Sequence, residues 1–231
     1  YPSDRADFRM VVYNLDGTAA TMGGNAIGCL AKYAYDRGII PPERLSVSVE
    51  TAGGVRAVRL YKRNGIVRAA EVAMGRARFE SVAVPVELPV PRVLDYAVDV
   101  GRGYRITCVN VGNPHAVAFV EDVDTLDVAS EGPLLEHASI FPERVNAEFV
   151  RVLDETTLRM RVWERGSGET WACGTGACAA VAAAVENGLC AADTDIAVKV
   201  PGGVLSVRYS SDGSLHMRGE VDLVFEGVVE L

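Results

Sequence analysis

The chain has 231 residues, 23 Lys and Arg against 31 Asp and Glu, a formal net charge of -8, and 49% hydrophobic residues. That length carries one large core or two smaller ones. An acidic balance with no dense Lys/Arg run argues against nucleic acid as a partner. No apolar run approaches the ~20 residues that cross a bilayer, and the opening YPSDRADFRM lacks the order of a secretion signal. The chain therefore reads as cytoplasmic, with no membrane partner.

In chain order, FRMVVY from Phe8 alternates as a strand should, MGGN is a glycine turn, and IGCLAKYAYDRG has helix-forming composition closed by Gly38. VSVETAGGVRAVRLY, rich in β-branched residues around a polar turn, returns to strands. The Pro-rich stretch from Val82 to Val93 reads as a linker. Beyond it, YRITCVNVGNPHAVAFVEDVD, VNAEFVRVLDE and LRMRVW are strand-like. ACGTG is a second glycine turn, GACAAVAAAVENG is a second helix closed by Gly188, and KVPGGVLSVRY is a further strand pair.

The two series are copies of each other. FRMVVYNLDGTAATMGGN from Phe8 lies over LRMRVWERGSGETWACGT from Leu158 without a gap, at a constant offset that carries Gly24 onto Gly174 and Gly38 onto Gly188. The expected fold is α+β, with two lobes related by a pseudo-twofold axis. Each lobe is expected to be a mixed or antiparallel sheet wrapped around a central helix, with a cleft between the two. The expected lobes are residues 1–90 and 91–231, with the last strand returning to the first lobe. Residues 104–157 precede the second copy, whereas only residues 1–7 precede the first. The amino-terminal lobe is accordingly expected to be truncated by two or three strands.

Each glycine turn opens a helix, where the first N–H groups have no intrahelical partner and the dipole favours negative charge. Such a place lowers the pKa of a thiol like Cys173 and can hold a carboxylate. Two such turns facing one cleft would clamp a small amino acid or dicarboxylic acid.

The strings NLDGT…MGGNAIGC, GNPHAV, RVNAEFV and WERGSGETWACGTGAC, in this order and spacing, resemble the signature blocks of the diaminopimelate epimerases. The resemblance implies a cofactor-free and metal-free enzyme that inverts an α-carbon between two cysteines, one taking the proton and the other returning one from the opposite face. It implies stereoinversion of LL-2,6-diaminopimelate to meso-diaminopimelate, with a small amino acid as partner and room for a homodimer. Position by position, Cys173 matches one catalytic cysteine, and His115 and Glu164 match residues that support it. Asn14, Asn25, Asn113, Asn146, Glu164 and Arg165 match substrate contacts, and Gly24, Gly174 and Thr175 match the turns that hold the α-carboxylate. Gly23 stands where the second cysteine belongs, and Gly28 where the family usually has arginine. Inversion needs a proton donor on each face, so Gly23 puts activity in question.

Other readings follow from that gap: another cofactor-free racemase acting on histidine or proline, a one-thiol dehydratase, or a catalytically silent binding protein. Taken alone, Cys173 is as readily a small buried residue. Cys29 and Cys178, on Ala-rich helices, are expected in the core, and Cys108 and Cys190 are expected to be structural. The odd cysteine count, without C-x-x-C pairs, argues against disulfides and zinc. His137 and His216 read as surface or loop residues.

Overall fold

The computed structural model describes residues 1–13 and 23–228. The first half comprises β1 (Phe8–Arg9), α1 (Gly24–Asp36), β2 (Ser46–Thr51), β3 (Gly54–Arg63) and β4 (Ile66–Arg76). Asn64 and Gly65 join β3 to β4 with positive φ at both positions (54° and 77°), the two-residue turn whose twist suits a hairpin. Then come β5 (Tyr96–Val98), β6 (Tyr104–Asn110), β7 (Pro114–Phe119), α2 (Val128–Glu136), β8 (Asn146–Asp154), β9 (Thr157–Glu164) and β10 (Gly168–Thr170). The second copy closes with α3 (Gly174–Glu186), β11 (Asp195–Val200), β12 (Gly203–Tyr209) and β13 (Ser214–Glu220).

The repeat seen in sequence is a repeat in space. Helices α1 and α3 have 13 residues each, and both ends correspond at the offset that places Gly24 on Gly174. β1 runs parallel to β2 with Phe8 opposite Val49, and β9 runs parallel to β11 with Leu158 opposite Val198. The two hairpins match as well, with Val47 opposite Val58 in one and Ile196 opposite Val207 in the other. Val58 then pairs with Val72, and Val207 with Met217, which makes Val72 and Met217 equivalent. Those two residues also face each other directly across the antiparallel pair β4–β13. The pseudo-twofold axis therefore passes between them.

The strands form one hydrogen-bonded path in the order β1-β2-β3-β4-β13-β12-β11-β9-β8-β7-β6-β5, with β10 attached to β9. β13 bridges the copies, lying between β12 and β4. The fold is thus the expected α+β type with mixed pairing, and its sheet is continuous across the seam.

The two helices differ in how they are covered. In α3 no side chain from Gly174 to Val185 is larger than Val, and every residue from Gly174 to Ala184 is buried. Small side chains on all sides let strands approach from all sides. Helix α1 buries only one stripe, including Ile27, Gly28, Ala31 and Ala34. Gly28 lets it sit close to β4: a β-carbon there would lie 3.1 Å from Cβ of Ala70. Lys32 is buried in the same contact, and its Nζ donates to the Val67 carbonyl at 3.0 Å and pairs with Asp36 at 2.8 Å. Cys29 is exposed, which corrects the expectation that it lies in the core; α1 is not wrapped on that side among the described residues. Cys108, Cys178 and Cys190 are buried, as expected.

One apolar cluster surrounds both helices, from Ile27 and Met74 to Ala180 and Met217. A second lies beneath β5–β8 and includes Leu135 of α2 and Phe149. The Val82–Val93 stretch supplies Val84, Val86 and Val93 to this second cluster, which pins it at three points. His137 is exposed at the end of α2, whereas His216 is a half-buried residue inside β13, which corrects its reading as surface or loop.

Candidate active site

Cys173 sits at the N-cap of α3 with extended backbone (φ -124°, ψ 115°). Its Sγ accepts the Gly176 N–H at 3.3 Å and lies 3.4 Å from Thr175 Oγ1. The equivalent N-cap of α1 is Gly23 (φ -150°, ψ 80°), which has no side chain to make such a contact. The helix starts approach one another at the seam. A β-carbon on Gly174 would lie 3.0 Å from Met217 Sδ and 3.3 Å from Asn25 Oδ1, and one on Gly24 would lie 2.8 Å from Met74 Cε and 3.1 Å from Met217 Cε. Gly24 and Gly174 are thus required by packing on their Cα side. The free N–H groups of each first turn remain a property of the helix ends.

A helix N-terminus was expected to lower the pKa of Cys173, and the structure reverses that. Cys173 is 6% exposed. Burial pushes its thiol far up, with Glu164 and then Glu148 adding to the shift, and the contacts from Thr175 and Gly176 only partly oppose it. Two carboxylates and the loss of water outweigh two weak donors. Burial and the two carboxylates thus favour the thiol of Cys173 over its thiolate.

Glu148 was not foreseen. It lies on β8, fully buried, and its Oε1 is 2.7 Å from Nδ1 of His115, also fully buried. The other ring nitrogen, Nε2, is 2.9 Å from Asn113 Oδ1. An amide oxygen only accepts, so Nε2 carries a hydrogen, and one proton lies between Nδ1 and Glu148 Oε1. Burial pushes the Glu148 carboxyl up while His115 opposes it. Its second oxygen, Oε2, is buried without a partner. Glu148 Oε1 and Cys173 Sγ lie 2.8 and 3.3 Å from the point a β-carbon of Gly176 would occupy. All five residues of NAEFV are buried, so no alternation along the strand marks Glu148 in the sequence.

Asn146 is 4% exposed and uses both ends of its amide. Nδ2 donates to the Pro114 carbonyl at 2.9 Å, and Oδ1 accepts the Arg165 N–H at 2.8 Å. It ties the β7 start to the turn after β9. Glu164 accepts from Thr170 Oγ1 at 2.5 Å, and Arg165 is exposed, with Nη1 donating to the Glu143 carbonyl at 2.8 Å. Cys173, Thr175, Glu164, Arg165, His115, Asn113 and Asn146 are therefore linked around one end of α3, and Gly24 and Asn25 meet that end through Gly174 and Met217. Asn14 lies outside the described residues.

A cavity of ≈ 250 Å³ runs along the seam, touching Gly24, Asn25, Ala172 and Gly202, with Cys29 on its wall. Cys173 itself is not on that wall. Among the described residues no group of three or more His, Cys, Asp or Glu side chains could hold a metal ion, and no helix is long and apolar enough to cross a membrane.

The profile of diaminopimelate epimerase matches residues 107–224. The diaminopimelate epimerase of Acetivibrio thermocellus is 43% identical over 233 residues, covering 100% of this chain and 81% of its own length. The chain belongs to the diaminopimelate epimerase family. Another member, from Pelotomaculum thermopropionicum, is 44% identical over 98% of this chain and 80% of its own length. Among solved structures, the hydroxyproline epimerase of Agrobacterium vitis superposes with a TM-score of 0.69 at 17% identity, over 92% of this chain and 67% of that one. A Bacillus anthracis phenazine biosynthesis protein of the PhzF family gives 0.63 at 17% identity, over 95% and 80%. At such identities these two likenesses concern the fold alone.

Proposed function

We propose that this chain acts on 2,6-diaminopimelate, interconverting the LL and meso forms at one α-carbon without a cofactor. The observation that carries the reading is the meeting of two equivalent helix starts at Met217, with Cys173 capping one and the Glu164–Arg165 turn beside it. In this reading the lobes are residues 1–90 and 91–231. The free N–H groups at Gly24, Asn25, Gly174 and Thr175 receive the α-carboxylate and stabilise it as it gains enediolate character. Asn14, Asn25, Asn113, Asn146, Glu164 and Arg165 receive the polar groups of the substrate. Cys173 exchanges the α-proton on its face, with Glu164 and His115 in support. A cytoplasmic location and a homodimer belong to the same reading.

Gly23 favours a second, narrower reading. It offers no donor to the other face, so the chain would exchange the α-proton on Cys173's face without inverting the centre. Incubation with LL-diaminopimelate in deuterium oxide tests both. Label uptake with inversion supports epimerase activity, uptake with retention supports one-face exchange, and binding without uptake leaves a silent binding protein.

A further inference from the structure

Glu136, the last residue of α2, is a carboxylate only 4% exposed. Its two oxygens are both occupied by donors from one turn. Trp163 Nε1 donates to Oε2 at 2.6 Å, and the Gly166 N–H donates to Oε1 at 3.1 Å. Between those donors lie Glu164 and Arg165. At the outer edge Arg144 Nη1 stands 3.7 Å from the carboxylate and offsets its charge, and His137 Nε2 lies at the same distance from the other oxygen. The indole is seated against α2, where any β-carbon on Gly132 would overlap it, and its far edge packs at 3.5 Å from the β-carbon position of Gly168. The turn is therefore anchored through its two ends to one buried side chain, and Asn146 holds its middle through the Arg165 N–H.

We propose that Glu136 is a positioning residue: by tying Trp163 and Gly166 together it sets the place of Glu164 and Arg165, and hence the grip on the substrate's distal amino-acid end. The assignment of a ligand rests on the diaminopimelate reading; the tie itself does not. A carboxylate is needed because both partners are donors. An amide accepts at one end and turns its own NH₂ toward the remaining N–H. Glu136→Gln keeps the shape of the side chain and breaks one of the two ties.

The test uses the full chain in ¹⁵N–¹H spectra, where the two indoles, Trp163 and the 79% exposed Trp171, are told apart by Trp171→Phe. In the wild type the Trp163 indole proton is expected downfield and slow to exchange. In Glu136→Gln the Trp163 indole or the Gly166 amide shifts and exchanges faster, and the Kd for meso-diaminopimelate by calorimetry rises roughly tenfold, the size of one lost hydrogen bond. Adding Trp163→Phe removes the competing donor and returns Kd toward that of Trp163→Phe alone. A wild-type Trp163 indole exchanging as fast as Trp171, or Glu136→Gln signals that do not move, overturns the tie. Signals that move while Kd stays constant overturn the positioning role. If the wild type binds no diaminopimelate, the substrate reading fails together with that role, and the spectra still decide the tie.

Discussion

Val72 and Met217 stand at the same place in the two copies of the repeat and face each other across β4 and β13. The side chain of Met217 in turn touches both helix starts, at Gly24 and Gly174. The two N-caps, Gly23 and Cys173, therefore stand at equivalent positions of the repeat, and only Cys173 brings a thiol.

Gly23→Cys is therefore expected to complete the site. The backbone at Gly23 has negative φ, and a β-carbon there would find Ala26 Cβ at 3.5 Å and Val12 Cγ2 at 3.9 Å, ordinary contacts. Supplying the missing donor should raise inversion of diaminopimelate by about 10²-fold or more, followed as label uptake with inversion. Cys173→Ala should abolish both inversion and exchange. Equal inversion rates for the wild type and Gly23→Cys would show that another group provides the second proton.

The raised pKa of Cys173 has a testable sign. Burial contributes most and Glu164 next. Replacing Glu164 by Gln removes a negative charge from beside the thiol, which makes the thiolate less unfavourable. The pH at which Cys173 becomes reactive toward a small alkylating agent, read by mass spectrometry of its peptide, should move down. An unchanged or higher midpoint would contradict the arrangement.

Gly176 separates the thiol from the Glu148 carboxylate. Gly176→Ala would place a methyl group 2.8 Å from Glu148 Oε1 and 3.2 Å from Cys173 Cβ, both in packed surroundings. Such overpacking costs about 1–3 kcal/mol. Urea unfolding should show the loss as a lower midpoint with an unchanged slope.

His115→Leu would strand Glu148 in the core with neither oxygen paired. Breaking a buried pair costs roughly 3–5 kcal/mol. The loss should grow as pH rises. With its carboxyl pKa already raised by burial, Glu148 binds a proton more readily folded than unfolded, so the deficit should shrink as pH falls through the raised value. A deficit that is flat with pH would mean that Glu148 is not the group left exposed to the core.

Much of this architecture was legible in the sequence because a repeat and its glycine turns are local patterns. The helices α1 and α3 and the two hairpins follow from them, and the strands before Leu158 follow from their own β-rich composition. Helix α2 did not, since VASEGPLLE carries a glycine and a proline and its amphipathic pattern is short. Glu136 and Glu148 were missed for a different reason: their partners Trp163 and His115 lie on other elements, and only the folded sheet brings them together. The thiol of Cys173 was misjudged because helix position is visible in sequence, whereas burial and the approach of two carboxylates are not.

The place of β13 also governs the order in which the molecule can be assembled. Strand β4 is complete at Arg76, yet its partner on the seam side begins at Ser214. Closing so long a loop carries an entropic cost that local contacts do not share, and pairings of this kind slow folding. On the ribosome, α1 and β4 can form early but remain open along one edge until residue 220 has emerged. Met217, which lies against both the Gly24 and the Gly174 helix starts, belongs to β13, so a nascent chain halted before β13 would hold the parts of the site without the site.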